Sequence, residues 1–347
     1  MNNQYFKLFS NCILVQGAYR SIVMDLQRSQ FFTVSSGLAA LLNYNQVAQS
    51  SVQELYMEYN HIEKSMIDKF LNQLVSQEVG LITESPLSFP DIPDTFDTSE
   101  EITDITIVVT ENSKNQLNNL SKKIAFYTIQ AIFLSHETDL INQFLTITSD
   151  IGIRNLQLYI NCSKQLVILE DIKKSNHLES VILFNSGQER SEIWDNEIEL
   201  RFTNRNITLF SGNSPSSDQD FILNLPYYFE SKQVNPYLSG RLFIDEGGLS
   251  DIRYNDNTSF DIKDKNNSAK YVCRDKIVIC RDCEYRYMCT DTRVPRIYND
   301  MNELWNHLSE CPYNPYIAKW NTEEGHQTVA ESIADGVVSE EFVYREK

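Results

Sequence analysis

Four cysteines near the end of the chain, in the pattern Cys280-x2-Cys283-x5-Cys289-x21-Cys311, constrain this 347-residue sequence more than anything else in it. A C-x2-C step lets two sulfurs converge through a tight turn, and a third and fourth thiolate can then close a tetrahedral set. Four thiolates gathered without a cation would repel one another, so the spacing points to a metal rather than to packing. Zn²⁺ and a [4Fe–4S] cluster both accept four thiolates and leave a site charge of about −2. Gaps of five and then 21 residues are unlike the paired C-x2-C knuckles of common zinc ribbons. A cysteine followed by proline, here Cys311-Pro312, recurs in ferredoxin-type cluster sites. From Lys270 to Arg296 there are seven basic and four acidic residues, a local excess of positive charge that suits such a site.

The remaining cysteines fit a reducing compartment. There are seven in all, five of them between Cys273 and Cys311, a clustering that favours metal binding over a disulfide framework. Cys12 and Cys162 stand alone in apolar, strand-like surroundings and read as small core residues; Cys273 reads as a spare thiol. The first residues, MNNQYFKLFSNCILVQG, have no basic n-region, long apolar run or cleavage site, and no stretch approaches 18 apolar residues. A cytoplasmic protein without a membrane span is the expectation. A net charge of −18 and a pI of about 4.7 argue against nucleic acid as the main partner, since phosphate neutralisation needs a basic face.

Along the chain, residues 1–85 read as a small α/β module. Strand-like runs cover Cys12–Gly17, Ser21–Leu26 and Phe31–Val34, and a helix covers Gly37–Asn43. Ser51-x-x-Glu54 is a capping box, and Ile62, Met66, Ile67, Phe70, Leu71, Leu74 and Val75 repeat at helical spacing, with Gly80 as the C-cap. Leu81–Thr83 can pair back as an edge strand. The order predicts a winged-helix-like domain. Residues 86–101 carry three prolines and five acids and read as a linker. From 102 to about 230, strand-like runs at Ile105–Val109, Ile129–Leu134, Leu156–Ile160, Ser180–Phe184, Glu197–Phe202 and Ile207–Phe210 alternate with helical segments at Thr138–Ser149 and Leu166–Ser175. That alternation predicts βαβ units on a largely parallel sheet. Residues 231–320 would form the cysteine domain, and the acidic tail of 321–347 a solvated helix or partly disordered end.

The strings CRDCEYRYMCTDTR and CPYNPYIAKW resemble the C-terminal SPASM domain of peptide maturases in grasp-with-spasm systems. In those systems a SPASM-domain protein is encoded beside an ATP-grasp ligase and a small ribosomally made precursor of the graspetide type. The resemblance is strongest over about 270–320; residues 1–60 are compatible with it, and the middle agrees in length and pattern. It implies that Cys280, Cys283, Cys289 and Cys311 hold one auxiliary-type [4Fe–4S] cluster. A second auxiliary cluster would need a cysteine four places after the triplet, where Arg293 stands next to Thr292, and cysteines in residues 240–254, which have none. The resemblance also implies that 102–230 is a degenerate radical-SAM-like partial barrel. The C-x3-C-x2-C motif that binds and cleaves S-adenosylmethionine cannot be built, because no two cysteines lie four positions apart.

Other chemistries leave no trace: there is no Walker-type loop, G-x-G-x-x-G, H-E-x-x-H or G-x-S-x-G. The five histidines are scattered, and His307 is the one placed to sit beside the cysteine site. The expectation is therefore a peptide-maturation protein that works with an ATP-grasp ligase on a ribosomally made precursor and is not a radical-SAM enzyme by itself. The N-terminal module resembles the leader-recognition domains of peptide-modifying enzymes, which capture peptides by strand addition. Residues 20–35 would be the receiving edge, with Tyr19, Arg20 and Phe31 as candidate peptide-binding residues. The alternatives are a zinc-stabilised scaffold or adaptor with no role in peptide modification, a winged-helix regulator, and an independent enzyme acting through the surviving cluster. The regulator is disfavoured by five basic against nine acidic residues through position 95.

Overall fold

The computed structural model describes residues 4–93, 95–96, 102–135, 137–162, 172, 175–194, 197–204, 214–217, 220–245, 268–298, 304–307 and 309–345. The chain is mixed α/β and divides into two compact units, each discontinuous in sequence. The first joins residues 1–96, 213–236 and 269–347; the second joins 97–212 and 237–268.

The first unit begins with β1 (Tyr5–Leu8), β2 (Cys12–Gln16), β3 (Arg20–Asp25) and β4 (Gln30–Ser35), followed by α1 (Ser36–Ala48), α2 (Val52–Glu58), α3 (Lys64–Ser76) and β5 (Gly80–Thr83). Strands β2, β3 and β4 form an antiparallel sheet with β3 in the middle, and β5 pairs back on β1 as an antiparallel ribbon. The Ser51–Glu54 capping box forms as the sequence predicts, satisfying two backbone donors at the start of α2. Helix α3 buries Ile67, Phe70, Leu71 and Leu74, the spaced residues of its apolar stripe. It ends on Gln77, however, and Gly80 is the first residue of β5 rather than the cap. A Cβ at Gly80 would stand 2.6 Å from the Lys7 carbonyl, so close strand pairing explains this glycine.

Strand β3 is buried along nearly its whole length, on both faces. Val23 joins a core with Phe6, Leu41, Leu55, Ile67 and Leu71, while Ile22 and Met24 join one with Tyr228, Tyr285, Met288 and Tyr313. The helices thus cover one face of the small sheet and the cysteine-bearing segment covers the other.

The second unit is a seven-stranded sheet. In chain order its strands are β6 (Asp104–Val108), β7 (Thr128–Phe133), β8 (Asn155–Asn161), β9 (Leu178–Phe184), β10 (Arg190–Ile193), β11 (Glu199–Thr203) and β12 (Arg241–Ile244). They lie in the order β10-β11-β9-β8-β7-β6-β12, parallel except for the β10–β11 pair. Helices α4 (Glu111–Ser121) and α5 (Thr138–Asp150) connect β6 to β7 and β7 to β8 as crossovers. The core centres on Ile105, Ile129, Leu156, Leu158 and Val181, with Phe133 packed edge-to-face on Phe144 at 5.6 Å. Five expected strands and helix α5 are found within two or three residues of the sequence boundaries. Helix α4 was not expected, because it has only two apolar residues, Leu117 and Leu120, to show a period; its signal is the Thr110–Ser113 capping box. Strand β12 lies where the cysteine domain was expected, and pairs instead with β6. The expected strand Ile207–Phe210 and most of the helix Leu166–Ser175 lie outside the described residues.

Candidate metal centre

The rest of the first unit begins with α6 (Leu225–Gln233) and continues through irregular backbone carrying the cysteines. Cys280 follows Ile279, whose φ of 69° and ψ of −51° make it the centre of a tight three-residue turn closed by Cys280 N–H donating to Val278 O at 2.8 Å. Such a turn is strained for a β-branched residue, at about 1–3 kcal/mol. A short 3-10 turn, Cys280–Asp282, then brings Cys283 N–H to Cys280 O at 3.0 Å, the C-x2-C loop read from the sequence. Cys311 precedes the two-residue strands β15 (Tyr313–Asn314) and β16 (Lys319–Trp320), which follow the antiparallel pair β13 (Arg296–Tyr298) and β14 (Leu304–Asn306).

The four candidate ligands lie near enough to influence one another: Cys280 is affected by Cys289, Cys289 by Cys311, and Cys283 by Cys289 and Cys311. Burial pushes Cys280 and Cys289 up to about 12, Cys283 well above the ordinary thiol range, and Cys311 upward as well. Bare thiols there stay protonated at neutral pH. A bound cation is what would make thiolates favourable in such a place.

Cationic side chains surround them. Arg274, 2% exposed, donates to the Cys289 carbonyl at 3.1 Å and the Asp291 carbonyl at 2.8 Å. Arg293, also buried, clamps the Asp291 carboxylate through Nε at 3.0 Å and Nη2 at 2.5 Å, and donates to the Ser309 carbonyl. Burial works to raise the Asp291 carboxyl, but the Arg293 hydrogen bonds, with His307 and Arg274, hold it below the usual range. Arg274 and Arg293 against Asp291 leave a buried positive excess facing the sulfurs. Buried charges need partners, and an anionic thiolate–metal centre supplies one. The residues present therefore fit such a group. Cys273 is buried and starts the 3-10 turn Arg274–Lys276.

Sequence reasoning missed Arg274 and Asp291, though the string CTDTR contains the Asp291–Arg293 clamp. His307 is where the sequence suggested, with Nε2 3.5 Å from Asp291 Oδ2 and a side chain only 4% exposed. Burial lowers its imidazole to about 4, so it is neutral at pH 7. A cavity of about 410 Å³ opens beside it, bordered by Cys280, Arg293, Asn306, Glu310 and Cys311.

The expected peptide-binding residues meet a different fate. Arg20 Nε donates to Glu284 Oε1 at 2.7 Å, its Nη2 reaches the Tyr285 hydroxyl at 2.5 Å, and Tyr313 donates to the same Glu284 oxygen at 2.5 Å. Phe31 packs edge-to-face on Tyr285 at 5.6 Å. Both residues are occupied within the chain and hold the small sheet to the cysteine segment. Strand β3, with Arg20, is central in its sheet and cannot be a receiving edge; β4 lies at the edge among the described residues. Tyr19 is 60% exposed. The turn at Gly17 approaches so closely that a Cβ there would meet Glu284 N at 2.9 Å and Arg20 O at 2.5 Å.

The acidic end, expected as a solvated helix or a partly disordered end, carries two short helices, and most of its described residues are exposed. Helices α7 (Val329–Ala334) and α8 (Glu340–Val343) bury Ser332 and Val343. Arg281 Nη2 donates to the Val343 carbonyl at 2.9 Å, and Arg345 returns a hydrogen bond to Asp282 Oδ1 at 2.5 Å. In the second unit, a cavity of about 390 Å³ lies at the carboxyl ends of β6 and β7, where open α/β sheets bind ligands. Among the described residues, Val109, Thr110, Glu111, Leu134, Ser135 and Glu137 line it. No helix among the described residues is long and apolar enough to cross a membrane. Comparison with protein-family models, curated proteins and solved structures finds no match to this chain.

Proposed function

We propose that the chain is a peptide-maturation protein that holds one [4Fe–4S] cluster on Cys280, Cys283, Cys289 and Cys311 and works with an ATP-grasp ligase on a ribosomally made precursor peptide. The observation that carries the metal reading is that four cysteines with buried thiols lie near one another beside the buried Arg274 and Arg293. One further observation favours a cluster over zinc. A tetrahedral zinc with Zn–S bonds of about 2.3 Å draws its sulfurs to about 3.8 Å of one another. Among the described residues, the ligand atoms within 4.8 Å of one another belong to Cys280, Asp291 and His307, and the four sulfurs do not form so tight a set. A cluster carries its thiolates on separate irons and tolerates that spread.

The peptide reading rests on the likeness of the cysteine strings to SPASM domains and on the order of the N-terminal module, three antiparallel strands followed by three helices. The exposed edge of β4 is the receiving strand in this reading, in place of the central β3, and the seven-stranded sheet is the degenerate radical-SAM-like domain. In this reading the cluster is structural, since the small sheet, the cysteine segment and the C-terminal helices belong to one compact unit. Deleting residues 1–85 would strip Arg20 from Glu284 and damage the cysteine segment, so a subtler probe is needed. Tyr19→Ala removes an exposed ring with little effect on the fold. Anaerobic purification should give about four iron and four sulfide per chain with absorption near 400 nm, and precursor binding should weaken in Tyr19→Ala. One zinc without sulfide would make the same residues a structural clamp. Unaltered precursor affinity in Tyr19→Ala would remove Tyr19 from the recognition surface.

A further inference from the structure

His307 is the buried polar side chain that the four-thiolate reading leaves without a task. Its side chain is 4% exposed, yet neither ring nitrogen has a hydrogen-bond partner among the described residues. A neutral imidazole carries one donor and one acceptor, and buried polar groups of this kind are normally satisfied by protein, water or a ligand. Its surroundings narrow the choice. Nε2 is turned toward Asp291 Oδ2 at 3.5 Å, and that carboxylate is fixed by the Arg293 guanidinium and by Arg293 N–H at 2.9 Å. A ring nitrogen, the Asp291 carboxylate and the Cys280 sulfur all lie within 4.8 Å of one another. A carboxylate holding one imidazole nitrogen while the other faces a cation is the usual way a ligating histidine is oriented. Cys280, Cys311 and His307 all border the 410 Å³ cavity, so this side of the site opens to solvent. Asp291 itself is fully engaged by Arg293 and is the orienting group, not a donor.

We propose that His307 is a nitrogen donor to the same metal centre, oriented by Asp291 and serving with Cys280 the corner that faces the cavity. The proposal rests on the metal reading above and extends it: five donors stand around four positions. At the corner served by two donors, loss of the thiolate leaves the imidazole in place. Cys280→Ser should then keep most of its metal where Cys289→Ser loses it.

X-ray absorption at the edge of whichever metal the purified protein holds, iron or zinc, tests this directly. The expected result is a nitrogen shell with imidazole scattering in the wild type. That shell should disappear in His307→Gln and be replaced by sulfur in His307→Cys. A purely sulfur shell, unchanged in His307→Gln, overturns the proposal and leaves the four-cysteine centre intact. Absence of both iron and zinc from the anaerobically purified protein overturns the metal reading and this proposal with it. If His307→Gln does not fold, the wild-type shell and the metal content of Cys280→Ser against Cys289→Ser still decide the matter.

Discussion

The two units of this chain are held together by different physics. The sheet of β6–β12 is stabilised by burial of Ile, Leu, Val and Phe between strands and helices, and its strands run in nearly sequential order. The cysteine-bearing part of the first unit has two-residue strands, 3-10 turns and a strained Ile279, and it buries Arg274, Arg281, Arg293, Asp282, Glu284 and Asp291. A hydrophobic core tolerates imperfect partners and loses stability in proportion to lost contact. A network of buried charges depends on every member, because one orphaned charge costs more than the pair contributed. The first kind of region should soften under mutation, and the second should fail.

The sharpest test of that contrast is Cys283→Ser. It should abolish metal binding and unfold the cysteine segment, a loss of several kcal/mol, since a structural metal's binding energy is folding energy. Hydrogen exchange should show lost protection around residues 269–298 while β6–β9 stay protected; uniform loss across both units would break the comparison. Phe144→Ala, in the sheet core, should cost about 3–5 kcal/mol and lower the thermal midpoint with metal content unchanged. Glu284→Gln leaves the Arg20 guanidinium with no carboxylate. Because Arg20 is partly exposed, with 29% of its side chain accessible, the cost should be about 2 kcal/mol rather than the full buried-pair value. Denaturant unfolding checks it.

The smallest effect concerns pH. The Asp25 carboxylate is buried in the β3–β4 turn and accepts from Gln27 N–H and Arg28 N–H, each at 3.1 Å, and from Arg28 Nε at 2.5 Å. Burial would raise its carboxyl, but the Arg28 hydrogen bonds, with that from Gln27, hold it below the ordinary range. The folded state therefore binds this proton less readily than the unfolded chain. The associated stability is present above the ordinary carboxylate range and is lost as pH falls through the lowered value. Asp25→Asn should flatten that part of the stability–pH curve by about 1 kcal/mol; an unchanged curve would show that the turn holds without its charge.

Much of the sheet was legible because its strands and the crossover helix α5 carry their own periodicity: Ile129–Leu134 and Thr138–Ser149 declare themselves without knowledge of a partner. The cysteine spacing was legible for the same local reason. What surrounds the cysteines was not, since Arg274, Asp291 and Arg293 find one another across irregular backbone with no period to read. The occupation of Arg20 and Phe31 was also missed. A clue stood in the sequence, for SIVMDL is a continuous apolar run with one acid, not the alternation of a half-solvated strand. Ile22 and Met24 needed a cover, and the cysteine segment is that cover.

The pairing of Arg20 with Glu284 spans 264 positions. At a synthesis rate of about 5–20 residues per second, the second partner leaves the ribosome roughly 15 to 50 s after the first. For that interval the small amino-terminal sheet has Ile22 and Met24 uncovered, and nothing that follows it immediately can hide them. Its completion waits for Tyr285, Met288 and Tyr313, so nascent chains that still lack them expose apolar surface of the kind chaperones bind. Premature termination would leave a sticky fragment instead of a working module.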